Sequence, residues 1–306
     1  MLLLANIRSY VSRWFFTKTL EERHRRLRFR RDDILGEGST SVVFRGVYEK
    51  DDSAPVKVAI KRPKYADHDV TREVEMMRIF NDYDSFIHLH SVIKDRHTAL
   101  LATDLCEGGD LYAYVEKHEG GLPDEEVRTI LRWLVDAVAV CQKHRIYHGD
   151  LKLENIVLTK RDDLNGLKLI DFESARYAFD AHDHAFKYTS RQVLHSLHYL
   201  APEVPRNGTL ENGARHFEGA DLFALDVWSV GIIAFILCHR KYPYTEFPSA
   251  TCRPRLECAD SELRNFIRRA LCADPKKRAT IGELAAHPFL HHTQKNGDYQ
   301  CNCDIS

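Results

Sequence analysis

The 306-residue sequence predicts an α+β fold of two lobes: a small antiparallel β lobe carrying one main helix, and a larger, mainly α-helical lobe. Three observations predict it. Short β-branched runs, Val42-Val43 and Val56-Lys57-Val58-Ala59-Ile60, lie between Gly36 and Lys61 on either side of an Asp/Ser/Pro turn, as strands joined by hairpins do. Beyond Cys106-Glu107-Gly108-Gly109 the apolar spacing lengthens to that of helices. The length suits one domain of two joined lobes and leaves little room for any other.

Each element has a local cause. Val70 to Phe80 repeats apolar residues at helical spacing through Val74, Met77 and Phe80, which makes it the helix of the small lobe. Leu100-Leu101-Ala102-Thr103 is an apolar strand running into a connection at 104–107. Pro123-Asp124-Glu125 opens a helix over Val127 to His144, with acidic residues in the first turn where the macrodipole favours them. Val227 to Cys238 is continuously apolar, yet falls short of a membrane span and starts beside Asp226, so it reads as a buried core helix. The division that follows is an extension over 1–31, a domain over 32–291 (small lobe 32–103, hinge 104–107, large lobe 108–291) and a tail over 292–306.

With 44 basic and 45 acidic side chains the formal net charge is -1, which argues against a global affinity for nucleic acid. The imbalance is local. Residues 1–31 carry nine Arg or Lys against Glu21 and Glu22, and Leu2, Leu3, Leu4, Ile7, Tyr10, Val11, Trp14, Phe15 and Phe16 recur there near helical spacing. Three readings stay open for this stretch: an extra helix packed on the domain, a segment lying on an anionic membrane, or a targeting presequence. The eight cysteines have no disulfide-framework spacing, which points to reduced thiols and an intracellular, cytoplasmic setting. His182, His184, His195 and His198 read as a solvated loop rather than a metal site, since the cysteines stand elsewhere in the sequence.

The chemistry concentrates in His148-Gly149-Asp150-Leu151-Lys152-Leu153-Glu154-Asn155, followed after an apolar run by Asp171-Phe172-Glu173. Two carboxylates, a lysine and an amide stand there at spacings that phosphoryl transfer uses. Upstream, Leu35-Gly36-Glu37-Gly38-Ser39-Thr40-Ser41-Val42-Val43 puts two glycines where a backbone must approach phosphates closely, and Val58-Ala59-Ile60-Lys61 ends a strand on a lysine. Alone, the first is an ordinary hairpin and the second an edge charge. Their order with the loop at 148–155 changes that.

Together these motifs resemble the eukaryotic-type Ser/Thr protein kinases, and distantly the calcium/calmodulin-dependent group with its AMP-activated relatives. The likeness runs from about Ile34 to Leu290. It includes Ala201-Pro202-Glu203, Asp226-Val227-Trp228-Ser229-Val230-Gly231 and Asp274-Pro275-Lys276-Lys277-Arg278, and the resemblance implies that the Arg of the last pairs with the glutamate of the first. The resemblance implies a two-lobed kinase fold with ATP and Mg2+. Asp150 would orient the substrate hydroxyl and Lys152 reach the transferring phosphate, as in Ser/Thr rather than tyrosine kinases; Asn155 and Asp171 would hold the metal. ATP would lie against Gly36, Gly38, Val43, Ala59 and Lys61, with Glu73 (Glu75 as fallback) as the partner of Lys61, Thr103 as a small gatekeeper, backbone groups of Asp104 and Cys106 at the adenine, and Asp110 near the ribose. Asp110 and Glu154 match positions that grip an arginine in the substrate, and Ser196 a position contacting the catalytic Asp.

Two letters depart from the family pattern. Gly149 replaces the arginine of the His-Arg-Asp motif, removing the usual ligand of an activation-loop phosphate, so dependence on phosphorylation at Tyr188, Thr189 or Ser190 is not expected. Glu173 replaces the glycine after Asp-Phe, where a side chain in a left-handed conformation would cost roughly 1 to 2 kcal/mol. Lys61, Glu73, Asp150, Lys152, Asn155 and Asp171 all remain, which favours an active enzyme acting on protein Ser/Thr hydroxyls over a pseudokinase scaffold or inhibitor.

Overall fold

Leu27 and Phe29 alternate with Arg28 and Arg30, the period of a half-buried strand, and they open β1 (Leu27–Glu37). The computed structural model describes residues 27–49, 54–65, 68–95, 98–178, 197–204, 219–244, 254–258 and 260–291. Strand β1 therefore starts inside the stretch assigned to the extension. Counting its arginines obscured the alternation, which pairs Leu27 with Tyr48 and Phe29 with Gly46 on the neighbouring strand. Residues 1–26 and 292–306, the phosphorylation candidates Tyr188, Thr189, Ser190 and Ser196, and His182, His184 and His195 lie outside the described residues.

The chain divides into two units, Met1–Tyr114 with His148–Arg176, and Val115–Tyr147 with Tyr177–Ser306. In the first, β1, β2 (Ser41–Tyr48), β3 (Val56–Pro63), β4 (Leu89–Asp95) and β5 (Thr98–Asp104) form one antiparallel sheet in the order β1-β2-β3-β5-β4. Phe44, Val58, Ile60, Ile93, Leu100 and Ala102 fill its core, with Leu27, Phe29, Val42 and Tyr48 packed against them. Gly46 is required by packing, since a Cβ there would stand 2.8 Å from the Arg28 carbonyl oxygen. Helix α1 (Thr71–Ile79) buries Val74, Met76 and Met77 together with Glu73.

Helix α2 (Leu111–Glu116) follows the connection after β5, and in the second unit two residues separate α3 (Asp124–Lys143) from β6 (Ile146–Tyr147). A small hairpin of β7 (Ile156–Leu158) and β8 (Leu167–Leu169) belongs to the first unit. Ser85 O accepts from Leu169 N at 2.8 Å and Leu169 O accepts from Ile87 N at 3.1 Å, so the hairpin is tied to the residues just before β4. That tie places the loop 148–155 and the segment after β8 beside the sheet.

The second unit is helical: α3, α4 (Gly219–His239), α5 (Ser261–Ala270), α6 (Ile281–Ala285) and α7 (Pro288–His291). Its Leu222–His239 window is long and apolar enough to cross a membrane, yet 78% of it is buried within the protein, as a core helix requires. Helix α3 is held to α7 by Arg128 Nε donating to Phe289 O at 2.8 Å and Arg132 Nε to Leu290 O at 2.9 Å. Asp260 caps α5 by accepting from Glu262 N and Leu263 N, and Thr280 with Glu283 forms a capping box on α6.

Candidate active site

Strand alternation determines which side chains can meet. In β3, Val58 and Ile60 enter the core, so Ala59 and Lys61 face the other way. Register then sets Val43 opposite Lys61 and Thr103 opposite Ala59, which brings those four predicted residues together on neighbouring strands. Lys61 Nζ lies 2.5 Å from Glu73 Oε1 and 2.9 Å from Asp171 Oδ1, with Glu73 only 5% exposed. Glu73 is thus the partner of Lys61, while Glu75 sits on the exposed face of α1.

Burial would lower the Lys61 pKa, but Asp171 and then Glu73 override it and raise it. Burial would likewise raise Asp171, and the Lys61 ammonium reverses this, holding the carboxyl at about 2. Asp171 is an ionised oxygen donor at neutral pH. Burial leaves Glu73 raised despite Lys61.

The loop 148–155 is organised from within. His148 is fully buried; its Nδ1 accepts from Asp150 N at 3.3 Å and its Nε2 lies 3.2 Å from Ile170 O. Those roles suit the neutral imidazole that burial favours, since desolvation lowers the His148 pKa. Asp150 Oδ2 receives Lys152 Nζ at 2.6 Å and Asn155 Nδ2 at 3.0 Å, and Asn155 Nδ2 also donates to Asp150 O at 2.7 Å. With its nitrogen fixed on Asp150, the Asn155 amide turns its oxygen, the one atom able to ligate a hard cation, to the opposite side. Asp171 and Asn155 would therefore be the residues to hold a Mg2+ ion, which when bound would offset phosphate charge.

The strain expected at Glu173 is not there. It falls on Asp171, at φ 66°, a left-handed conformation that Asp tolerates better than most side chains, and Glu173 has no positive φ. Gly149 is at φ 78°, so an arginine in that backbone would be strained. Phe172 anchors the segment, its ring 5.4 Å from Phe80, 5.9 Å from Phe86 and 5.3 Å from His148.

Around the hinge, hydrogen bonds within the sheet already use part of the backbone. Asp104 N donates to His88 O at 3.1 Å, which leaves the Asp104 carbonyl and the Cys106 peptide as the expected backbone groups for a purine edge. Burial pushes the Cys106 thiol up to about 11, with Asp104 adding to it. Asp110 Oδ1 accepts from Ala113 N at 2.7 Å, capping α2, a duty its place just before an apolar helical run could have revealed. Gly36, Gly38 and the exposed Glu154 belong to the same unit as these groups.

The Asp104 side chain has partners that no sequence pattern pointed to. His90 Nε2 lies 2.8 Å from Oδ1, while His88 Nδ1 at 3.4 Å and Lys168 Nζ at 3.3 Å approach Oδ2. Burial would raise this carboxyl, and the His90 hydrogen bond with the Lys168 charge brings it down to about 2. Asp104→Asn is therefore expected to cost about 1 to 2 kcal/mol at pH 7. The folded pKa lies below the unfolded one, so this contribution is present above about pH 4 and lost as pH falls towards about 2. Thermal melts of both forms across that window check it: the difference should close on acidification, and a constant difference would refute the cause.

Residues 29–290 match the protein kinase domain, and the chain belongs to that family. Among curated relatives, CDPK-related kinase 5 of Arabidopsis thaliana is 27% identical over 84% of this chain and 43% of its own length. The mitosis inducer protein kinase cdr1 of Schizosaccharomyces pombe is 31% identical over 84% of this chain and 41% of its own. SNF-related serine/threonine-protein kinase of Homo sapiens is 30% identical over 85% and 33% respectively. The chain thus spans less than half the length of these relatives, and their names agree with a distant likeness to the calcium/calmodulin-dependent group.

Proposed function

We propose that the chain is a Ser/Thr protein kinase moving the γ-phosphoryl group of Mg2+-ATP to Ser or Thr hydroxyls of protein substrates. One observation carries this reading: Asp150, with Lys152 and Asn155 on its carboxylate, lies in the same unit as the Lys61–Glu73–Asp171 cluster. Asp150 is suited to orient and receive the proton of a hydroxyl, and Lys152 beside it to offset charge on the transferring group. A pseudokinase normally lacks one of these six groups, and this chain keeps all of them. Incubating the full chain with Mg2+-ATP and a generic basic protein tests the reading, with phosphoserine or phosphothreonine as the expected product. Phosphotyrosine alone, or no transfer, overturns it.

Regulation and specificity follow from the same residues. With Gly149 in place of an arginine, phosphatase-treated protein is expected to keep its activity. Asp110 and Glu154 support a preference for substrates with arginine N-terminal to the acceptor, because two carboxylates near one guanidinium give charge-assisted bonds. An arrayed peptide library checks it; selection of acidic or proline-directed sites would overturn the preference.

A further inference from the structure

Glu173, the residue that breaks the family pattern, reaches the tip of the glycine-rich loop. Thr40 Oγ1 donates to its Oε2 at 2.9 Å across 133 positions of sequence. His68 Nε2, just before α1, stands 3.9 Å from its Oε1. Three segments that must be aligned around a nucleotide therefore converge on one carboxylate.

The two ends of the Thr40–Glu173 bond differ in how firmly they are held. Beneath Glu173, Phe172 is wedged between aromatic rings, Ala175 N donates to Phe172 O at 3.1 Å, and Arg176 Nη1 donates to Glu173 O at 2.7 Å. The loop tip has far less under it. A Cβ at Gly36 would meet nothing within 4 Å, and one at Gly38 would meet the Ser41 carbonyl oxygen at 3.8 Å. Its backbone bonds, Gly38 N to Ser41 O and Lys64 N to Thr40 O, close the turn and tie it to the end of β3, not to the segment that bears Asp171.

We propose that Glu173 is a positioning residue: through Thr40 it holds the glycine-rich loop closed over the site of the ATP phosphates before nucleotide arrives. A loop ordered in advance does not lose that freedom on binding, so the contact acts on nucleotide affinity rather than on the transfer step. The inference rests on the reading of this site as an ATP site.

The test uses the full chain, the Kd of a non-hydrolysable ATP analogue with Mg2+, and steady-state kinetics. Thr40→Val and Glu173→Gly are each expected to raise Kd and the KM for ATP by roughly 3- to 10-fold, the span one net hydrogen bond supports. kcat should move by less than about twofold, as for uniform binding. The double variant should be no worse than either single one, since both remove one bond. Thr40→Ser and Glu173→Gln, which keep donor and acceptor, should bind within about twofold of wild type. Thr40 is half-buried on a turn, outside the core of the sheet, so its variants serve if Glu173→Gly fails to fold. Unchanged affinity in Thr40→Val, additive losses, or a fall in kcat at constant KM would overturn the proposal. Wild type that binds the analogue but transfers nothing would sink the kinase reading alone, leaving the effect on Kd to be judged separately.

Discussion

Asp150→Asn is expected to lower kcat by about 10²- to 10⁴-fold, the span for losing a positioned general base. The substitution is nearly isosteric and keeps an oxygen to receive Lys152 and Asn155, which lie 2.6 Å and 3.0 Å from Oδ2, so the loop should hold its shape. What is lost is the charge that accepts a proton. Asp171→Asn should be more severe, because it removes the negative charge that would hold the metal and also one of the two carboxylates on Lys61. Phosphate transfer to a basic protein, with the melting temperature measured in parallel, separates chemistry from unfolding. Turnover like wild type in either variant would remove the site assignment.

That site was legible because its chemistry is local in sequence. Asp150, Lys152 and Asn155 lie within six positions, their side chains bond one another, and the spacing alone conveys the arrangement. Lys61 and Glu73 were readable for a related reason, since an apolar run ending on lysine and an apolar-flanked glutamate on the next helix leave few other pairings. What the sequence could not convey depends on contacts between distant segments. The Glu173 side chain was expected to bring backbone strain, whereas the structure places the positive φ two residues earlier at Asp171 and gives Glu173 a partner 133 positions away. The His88–Asp104–His90 cluster depends on the register of β4 against β5, which a one-residue slip would destroy and which no local pattern specifies. At the N-terminus the error was of another kind. Charge density drew attention from the alternation Leu27, Arg28, Phe29, Arg30, although that period was in plain view.

The largest loss of stability is expected in the second unit, at Arg278. Its side chain is 0% exposed and forks onto Glu203, with Nη1 2.7 Å from Oε1 and Nη2 2.9 Å from Oε2. Its Nε donates to Cys272 O at 2.9 Å and its Nη1 also to Ala224 O at 2.7 Å, and the guanidinium lies 4.9 Å from the Trp228 ring. Four of the five N–H groups of the guanidinium are met in this way, and such satisfaction is what lets a buried ion pair hold its place. Glu203→Ala leaves that cation buried beside carbonyls alone, and should cost about 3 to 5 kcal/mol, or roughly 10 °C in Tm. Arg278→Lys should be almost as damaging, because a point charge cannot supply a fork. The double substitution Glu203→Leu with Arg278→Met is the informative comparison, since it removes both charges while keeping volume. It should recover most of the loss if desolvated charge is the cause, because apolar replacement of a buried pair is often neutral. If the double variant is as unstable as Glu203→Ala, the backbone bonds to Cys272 and Ala224 carry the stability instead, and the ion pair is secondary.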